Sequence, residues 1–312
     1  MANIRQLDKR RKSVRNIRKI TRTMELIATA RFKKAMDRAA AATDYTKRIT
    51  QIVQDLAKSG TDVSHPLLQA HSEVKAVDML VLTANRGLCG GYNGSVVRVA
   101  VQRRNEIKEQ AEAGQTSVSG KRGISAFRFA GVPVEKTYSE FEDQPSFDAV
   151  ARIADELITR YITGQVDRVD VAYTRFVSSS KQIPTVETLL PFAGIEVLSS
   201  NSASNSTPSN STPSNSSDKT STEKKLRDDY EFLPSAAGIL EEVVPASFRA
   251  RLFKCFLDAA VSEQIARMVA MKSATENAGD LIKSLSRTFN RARQSKITQE
   301  IMEIIGGVEA LG

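Results

Sequence analysis

For its first 59 residues the chain contains neither glycine nor proline; Gly60 and Pro66 are the first of each. Nothing in that stretch breaks the backbone hydrogen bonding of a helix. Apolar or small residues recur along it at Ile4, Leu7, Val14, Ile17, Met24, Ala28, Phe32, Ala35, Ala39 and Ala42, with Arg11 and Thr21 as interruptions. Steps of three, four and seven are the spacing of a coiled-coil seam. Such a helix would be roughly 85 Å long, far more than a globular domain uses. Its stripe needs an equally long partner.

The other end of the chain supplies one. Between Pro245 and Gly306 the only helix breaker is Gly279. Val261, Ile265, Met268, Thr275, Ile282, Leu285, Phe289 and Ala292, then Ile301, Ile304, Val308 and Leu311, keep similar spacing. Two amphipathic helices from opposite ends, neither able to hide its stripe alone, are expected to pair as an antiparallel coiled coil.

Between them the pattern changes to strands and helices in alternation. Val77–Thr83, Asp170–Phe176 and Thr185–Leu190 read as strands, and Ser95–Ala111 and Phe147–Ile162 as helices. Alternation of this kind favours a βαβ sheet. The expected fold is α/β with long helices: a coiled coil of residues 1–60 and 245–312, with a Rossmann-like α/β domain over 75–198 and 227–244 inserted between its two strands. Residues 199–226 stand apart. NSTPS occurs at Asn205–Ser209 and again at Asn210–Ser214, and almost nothing there is apolar, so disorder is expected. Asn205, Asn210 and Asn215 open N-x-[ST] sequons, but with no secretory signal glycosylation is not expected.

The stretch LTANRGLCGGYNGS, Leu82–Ser95, follows an apolar run as a phosphate-cradling loop would. Its spacing is wrong for one. Gly87, Gly90, Gly91 and Gly94 read G-x-x-G-G-x-x-G rather than G-x-G-x-x-G. The nearest approach to a Walker loop, Gly114 to Gly120-Lys121-Arg122, has the wrong spacing and lacks the magnesium-binding hydroxyl. A sharp turn against another backbone is the better expectation. Catalytic constellations are missing too, including G-x-S-x-G and H-E-x-x-H. His65 and His71 are the only histidines, beside Pro66, and are expected at the surface. Cys89 and Cys255, 166 positions apart, form no ligand pair. No catalytic residue, cofactor or metal is expected. With no apolar run of the ~18 residues a membrane helix needs, the chain reads as soluble and cytoplasm-facing.

Charge leaves one competing reading. Met1–Arg48 holds 15 Lys/Arg against four acids, more excess charge than the +9 of the whole chain. A basic helix leading into heptads is how zipper-type nucleic-acid binders look. Against this, Leu7, Val14 and Ile17 carry an apolar seam through the basic run Asp8–Lys19, where a DNA-gripping fork would be polar all round.

Four segments then bear a resemblance: KITRTMELIATARFKKA (Lys19–Ala35), NRGLCGGYN (Asn85–Asn93), SEQIARMVAMKSATENAGDLI (Ser262–Ile282) and NRARQSKITQEIMEIIGG (Asn290–Gly307). In this order they are similar to the gamma-subunit family of F-type ATP synthases. The match is close over 1–60, 78–95 and 245–311, loose through the α/β domain and absent across 199–222. The resemblance implies a non-catalytic rotor shaft inside a ring of alpha and beta subunits, with the α/β domain against the epsilon subunit and the membrane c-ring. It implies peripheral attachment at the cytoplasmic side of a bacterial inner membrane, since the family motif begins at once, and no nucleic-acid partner.

Carried over by motif, the resemblance places Met24, in TRTMELI, near the beta lever. It makes Arg267, with Gln294, Thr298 and Glu300, a coupling cluster toward beta, and Arg86 a further beta contact. Tyr230 and Glu231, in DDYEFLP, resemble the segment that touches the c-ring. The chloroplast relatives' redox cysteine pair has no counterpart in the insert, so thiol regulation of that kind is not expected. The nearly uncharged Ile301–Leu311 suits a tip held in an apolar sleeve.

Overall fold

The computed structural model describes residues 4–58, 65–71, 73–141, 144–192 and 236–309. The insert, Tyr230 and Glu231 lie outside them. Two long helices, α1 (Ile4–Lys58) and α5 (Ala236–Glu309), flank the rest. Packing divides the chain into two units: a coiled-coil unit of 1–34, 86–92 and 262–312, and an α/β unit of 35–85 and 93–261.

In the coiled-coil unit α1 and α5 run antiparallel. The Thr275 hydroxyl donates to that of Thr21 at 2.8 Å, Val14 packs with Ala278 and Leu285, and the Arg11 guanidinium stands 4.5 Å over the Phe289 ring. The residues that interrupt the apolar pattern, Arg11 and Thr21, therefore belong to the seam and have partners in it. Ile17, expected there, is 49% exposed. The four-three heptad step passes from Val14 to position 18, and the Arg18 guanidinium lies beside Gly279. The described part of α1 extends only about two turns beyond the Arg11–Phe289 contact, so among the described residues the last turns of α5 have no facing helix. Ile301, Ile304 and Val308 are accordingly 50%, 67% and 69% exposed.

The α/β unit is built on a five-stranded sheet: β1 (Ala76–Leu82), β2 (Glu112–Ser119), β3 (Lys136–Tyr138), β4 (Arg168–Ser178) and β5 (Lys181–Leu190). Their order is β3-β2-β1-β4-β5, parallel except for β5, which pairs antiparallel with β4. Helices α2 (Tyr92–Gln110), α3 (Lys121–Phe129) and α4 (Phe147–Ile162) connect the parallel strands. One core layer joins Leu80, Val171 and Leu189 to Ile153 and Leu157 of α4 and to Phe248, Leu252 and Phe256 of α5; Val53 of α1 belongs to it. The second joins Val81, Val118 and Ala172 to Val96, Ala100 and Ile107 of α2. The sharp start of α4 comes from Ser146, whose hydroxyl accepts the Ala149 N–H.

Four elements differ from the sequence reading. α5 begins at Ala236, not Pro245, and carries that proline inside it. Loss of a hydrogen bond there costs about 3 kcal/mol, and burial of Leu240, Val244, Phe248 and Leu252 on one face offsets it. β2, EAGQTSVS, has almost no apolar signal yet pairs on both sides. α3 and the three-residue β3 were too short to show a period.

Candidate functional site

The glycine-rich turn after β1 is closed to phosphate by the protein's own acceptors. Ala84 N–H donates to Asn93 Oδ1 at 2.9 Å, and the Asn85 side chain spans the neighbouring loops. Its Nδ2 donates to the Ser139 and Phe141 carbonyls at 3.0 and 2.8 Å, and its Oδ1 accepts Lys121 N–H at 3.0 Å. The N–H groups of the Walker-like start of α3 are taken likewise: Arg122 N–H by the Ala84 carbonyl at 3.1 Å and Gly123 N–H by Thr83 Oγ1 at 3.0 Å. Gly120, at φ +100°, lets the backbone press on Thr83, where a Cβ would collide with the Thr83 carbonyl. A phosphate loop keeps such groups free, so the expectation of a structural turn holds.

Residues 86–92 group with the coiled-coil unit. Gly90, at φ +55°, approaches α5 closely enough that a Cβ would lie 3.8 Å from Ala270 Cβ. Beside it Arg267 pairs with Glu263 at 2.6 Å and reaches the Arg86 carbonyl at 3.5 Å. Cys89 and Tyr92 are buried here. Burial, reinforced by Glu263 and Cys89 and opposed by Arg267, holds the Tyr92 phenol well above its ordinary value, so it stays neutral. Leu88, at φ +64°, is 59% exposed at the tip. A left-handed, outward-facing leucine on a turn seated against a helix is a shaped surface feature, and the groups in it that could react, the Cys89 thiol and the Tyr92 phenol, are buried.

The structure thus brings together two of the residues singled out by sequence, Arg86 and Arg267. It does not bring Gln294, Thr298 or Glu300 to them. Gln294 lies 27 residues further along α5 than Arg267, about 40 Å on one continuous helix. Within this chain Arg267, Gln294, Thr298 and Glu300 do not form one cluster. The last three are exposed; Thr298 donates to the Gln294 carbonyl at 3.0 Å and Glu300 pairs with Lys296 at 3.4 Å. Met24 is half-buried, beside the seam, next to a Glu25 that pairs with Arg22 at 2.7 Å. Along the same stretch Lys12, Arg15, Lys19 and Arg22 line an open groove with Thr275 and Ile282. Sequence reasoning missed the tie made by Asn85. Its signal was present, an asparagine directly after a buried strand, but its acceptors lie 54 and 56 residues away.

Fold and site together define a coiled-coil protein with an inserted α/β domain and exposed contact surfaces along its helices. The family profile described as ATP synthase matches residues 3–311. The ATP synthase gamma chain of Rhodopirellula baltica is 58% identical over 100% of this chain and 99% of its own length. That of Saccharopolyspora erythraea is 37% identical over 100% and 98%. Among solved structures, the rotor of the Euglena gracilis mitochondrial ATP synthase covers 94% of this chain and 98% of its own at TM-score 0.59 and 18% identity. A chain of the same organism's OSCP/F1/c-ring structure covers 99% and 94% at TM-score 0.64 and 17% identity. The chain belongs to the ATP synthase gamma-chain family. That membership leaves the nucleic-acid reading without support, as does the burial of Val14 in a helix–helix seam within the basic run.

Proposed function

We propose that the chain is the central-stalk rotor of an F-type ATP synthase, a non-catalytic subunit that turns with the c-ring and forces the catalytic sites of an alpha–beta ring through their conformations. The observation that carries this reading is full-length membership of the gamma-chain family, together with an antiparallel pair of helices that are each continuous. A shaft can bias a partner's conformations only through contacts that differ between them. The exposed cations of α1 and the projecting end of α5 are surfaces on which such differences act. Met24, Arg86 and Arg267, and separately Gln294, Thr298 and Glu300, are the proposed contacts to beta; Tyr230 and Glu231 are the proposed contacts to the c-ring and epsilon side. No described helix is long and apolar enough to cross a membrane. Attachment through the c-ring, at the cytoplasmic face of a bacterial inner membrane, fits that observation. The insert is proposed to be dispensable, and deletion of Ser199–Thr222 is expected to leave coupled synthesis intact.

The test is reconstitution. Mixed with alpha and beta subunits, the chain is expected to restore ATPase activity and co-elute with them at high salt; failure of both would refute the reading. Met24→Lys is expected to leave hydrolysis largely present while impairing ion pumping, because an added cation holds acidic partners in the wrong rotational state. Equal loss of hydrolysis and pumping would remove Met24 from the coupling surface.

A further inference from the structure

Arg249 and Arg251 stand two residues apart on α5, and two residues turn an α-helix through about 200°, so their side chains leave it on opposite sides. Arg249 Nε donates to Asp155 Oδ1 of α4 at 2.6 Å, and Arg251 Nη2 donates to Glu187 Oε1 of β5 at 3.0 Å. One turn further along α5 each side is repeated. Phe253 packs edge-on against Phe147 at the start of α4, with ring centroids 5.4 Å apart. On the sheet side the buried Cys255 lies against Tyr173, whose hydroxyl donates to Glu187 Oε2 at 2.6 Å. The Arg251 guanidinium also stands 5.2 Å over the Phe192 ring.

Between these two sides, Phe248, Leu252 and Phe256 give α5 an apolar bearing on the core. Apolar burial is non-directional, so by itself it resists lifting the helix far more than rolling it. Charge-assisted hydrogen bonds are directional and short. With one on each side, a roll in either direction lengthens one of them. The Arg249–Asp155 pair contributes little to folding, since its side chains keep 36% and 50% of their surface exposed. The placement of the two pairs matters more than their strength.

We propose that Arg249 and Arg251 are opposed positioning residues that lock α5 against rotation about its own axis within the α/β unit. This inference rests on the rotor reading: torque delivered to the sheet then passes into α5 and is not lost as roll.

The experiment uses the assembled complex, with the alpha–beta ring immobilised and stalled and a probe fixed to the α/β unit, and reads the angular variance of the probe. In the wild type the variance is expected to rise as salt screens the pairs. In Arg249→Gln/Arg251→Gln it should be higher at low salt, on the order of twofold, and insensitive to salt. Arg249→Gln alone should also soften the unit, and the exchange Asp155→Arg with Arg249→Asp should restore the stiffness and salt dependence that this single substitution removes. Wild-type variance that ignores salt would overturn the proposal with no substitution needed. So would a double variant as stiff as the wild type, or a softening that the exchange does not rescue. A wild-type complex that neither assembles nor rotates would instead refute the rotor reading itself.

Discussion

Asp78 in the α/β unit and Thr21 in the coiled-coil unit show two ways of placing a polar group among apolar ones. Asp78 is 3% exposed and meets Arg160 through both oxygens, at 2.8 and 3.2 Å, while accepting Gln115 N–H at 2.6 Å. Around it are two core layers on either side of a sheet. Thr21 meets Thr275 across the seam and the Arg18 carbonyl of its own helix at 3.1 Å, in a seam where Val14, Ala278 and Leu285 form a small buried cluster. Outside that seam Ile20, Leu26, Ile27, Val269 and Leu281 remain 42–56% exposed. One unit encloses its charge in a two-layered core. The other holds two helices together along a seam and leaves apolar flanks exposed.

The strongest way to break the comparison is to remove the buried charge partner. Asp78→Ala leaves Arg160 without its carboxylate and should cost about 3–5 kcal/mol. Hydrogen exchange should show that loss in β1, β2 and α4. A cost under about 1 kcal/mol by denaturant titration would mean that the α/β unit does not depend on its interior ion pair.

A smaller effect concerns acid. Burial pushes the Asp167 carboxyl up, but the Ala76 and Lys75 N–H groups and His71 outweigh it and hold the group below its ordinary 3.8. A depressed carboxylate stabilises the fold above 3.8, and that contribution is lost as pH falls through the lower folded value. Asp167→Asn should therefore lower stability at neutral pH by roughly 1 kcal/mol and remove this part of the acid dependence. Midpoint temperature measured against pH in both proteins checks it. Parallel curves would exclude Asp167 as a source.

The smallest effect belongs to the seam. Thr21→Val and Thr275→Val together remove both hydroxyls without leaving one unpaired, and the pair should be near neutral, within about 0.5 kcal/mol. Either substitution alone leaves the remaining hydroxyl a backbone acceptor, the Met271 carbonyl at 2.8 Å or the Arg18 carbonyl at 3.1 Å, beside a new methyl group, and so should cost only a few tenths of a kcal/mol more than both. A double-mutant cycle reads this directly, and additive losses would show that the two hydroxyls do not act as a pair.

Long periodic features were legible because they repeat. The helix pair and its antiparallel direction follow from long periodic stretches at both ends with few helix breakers, and α4 falls at Phe147–Ile162, where the pattern put it. β2 was illegible because its place depends on partners: Gly114 lets its backbone come against Val77 and Asp78, and no property of EAGQTSVS announces that. The site was legible by type more than by arrangement. The glycine turn was readable as structural, and Arg86 and Arg267 were singled out, but their approach across 181 positions was not visible.

What the sequence determined by itself was whatever depends on neighbours along the chain: two long helices, a strand-and-helix alternation between them, and motifs that resemble one family. Tertiary structure alone decided which residues meet. It put Arg11 and Thr21 inside the seam and Ile17 outside it, carried a proline into α5, and set Arg249 and Arg251 against Asp155 and Glu187. The reason is physical. Local pattern records the period of an element, whereas burial of a polar or helix-breaking residue depends on a partner that only the folded chain brings within reach.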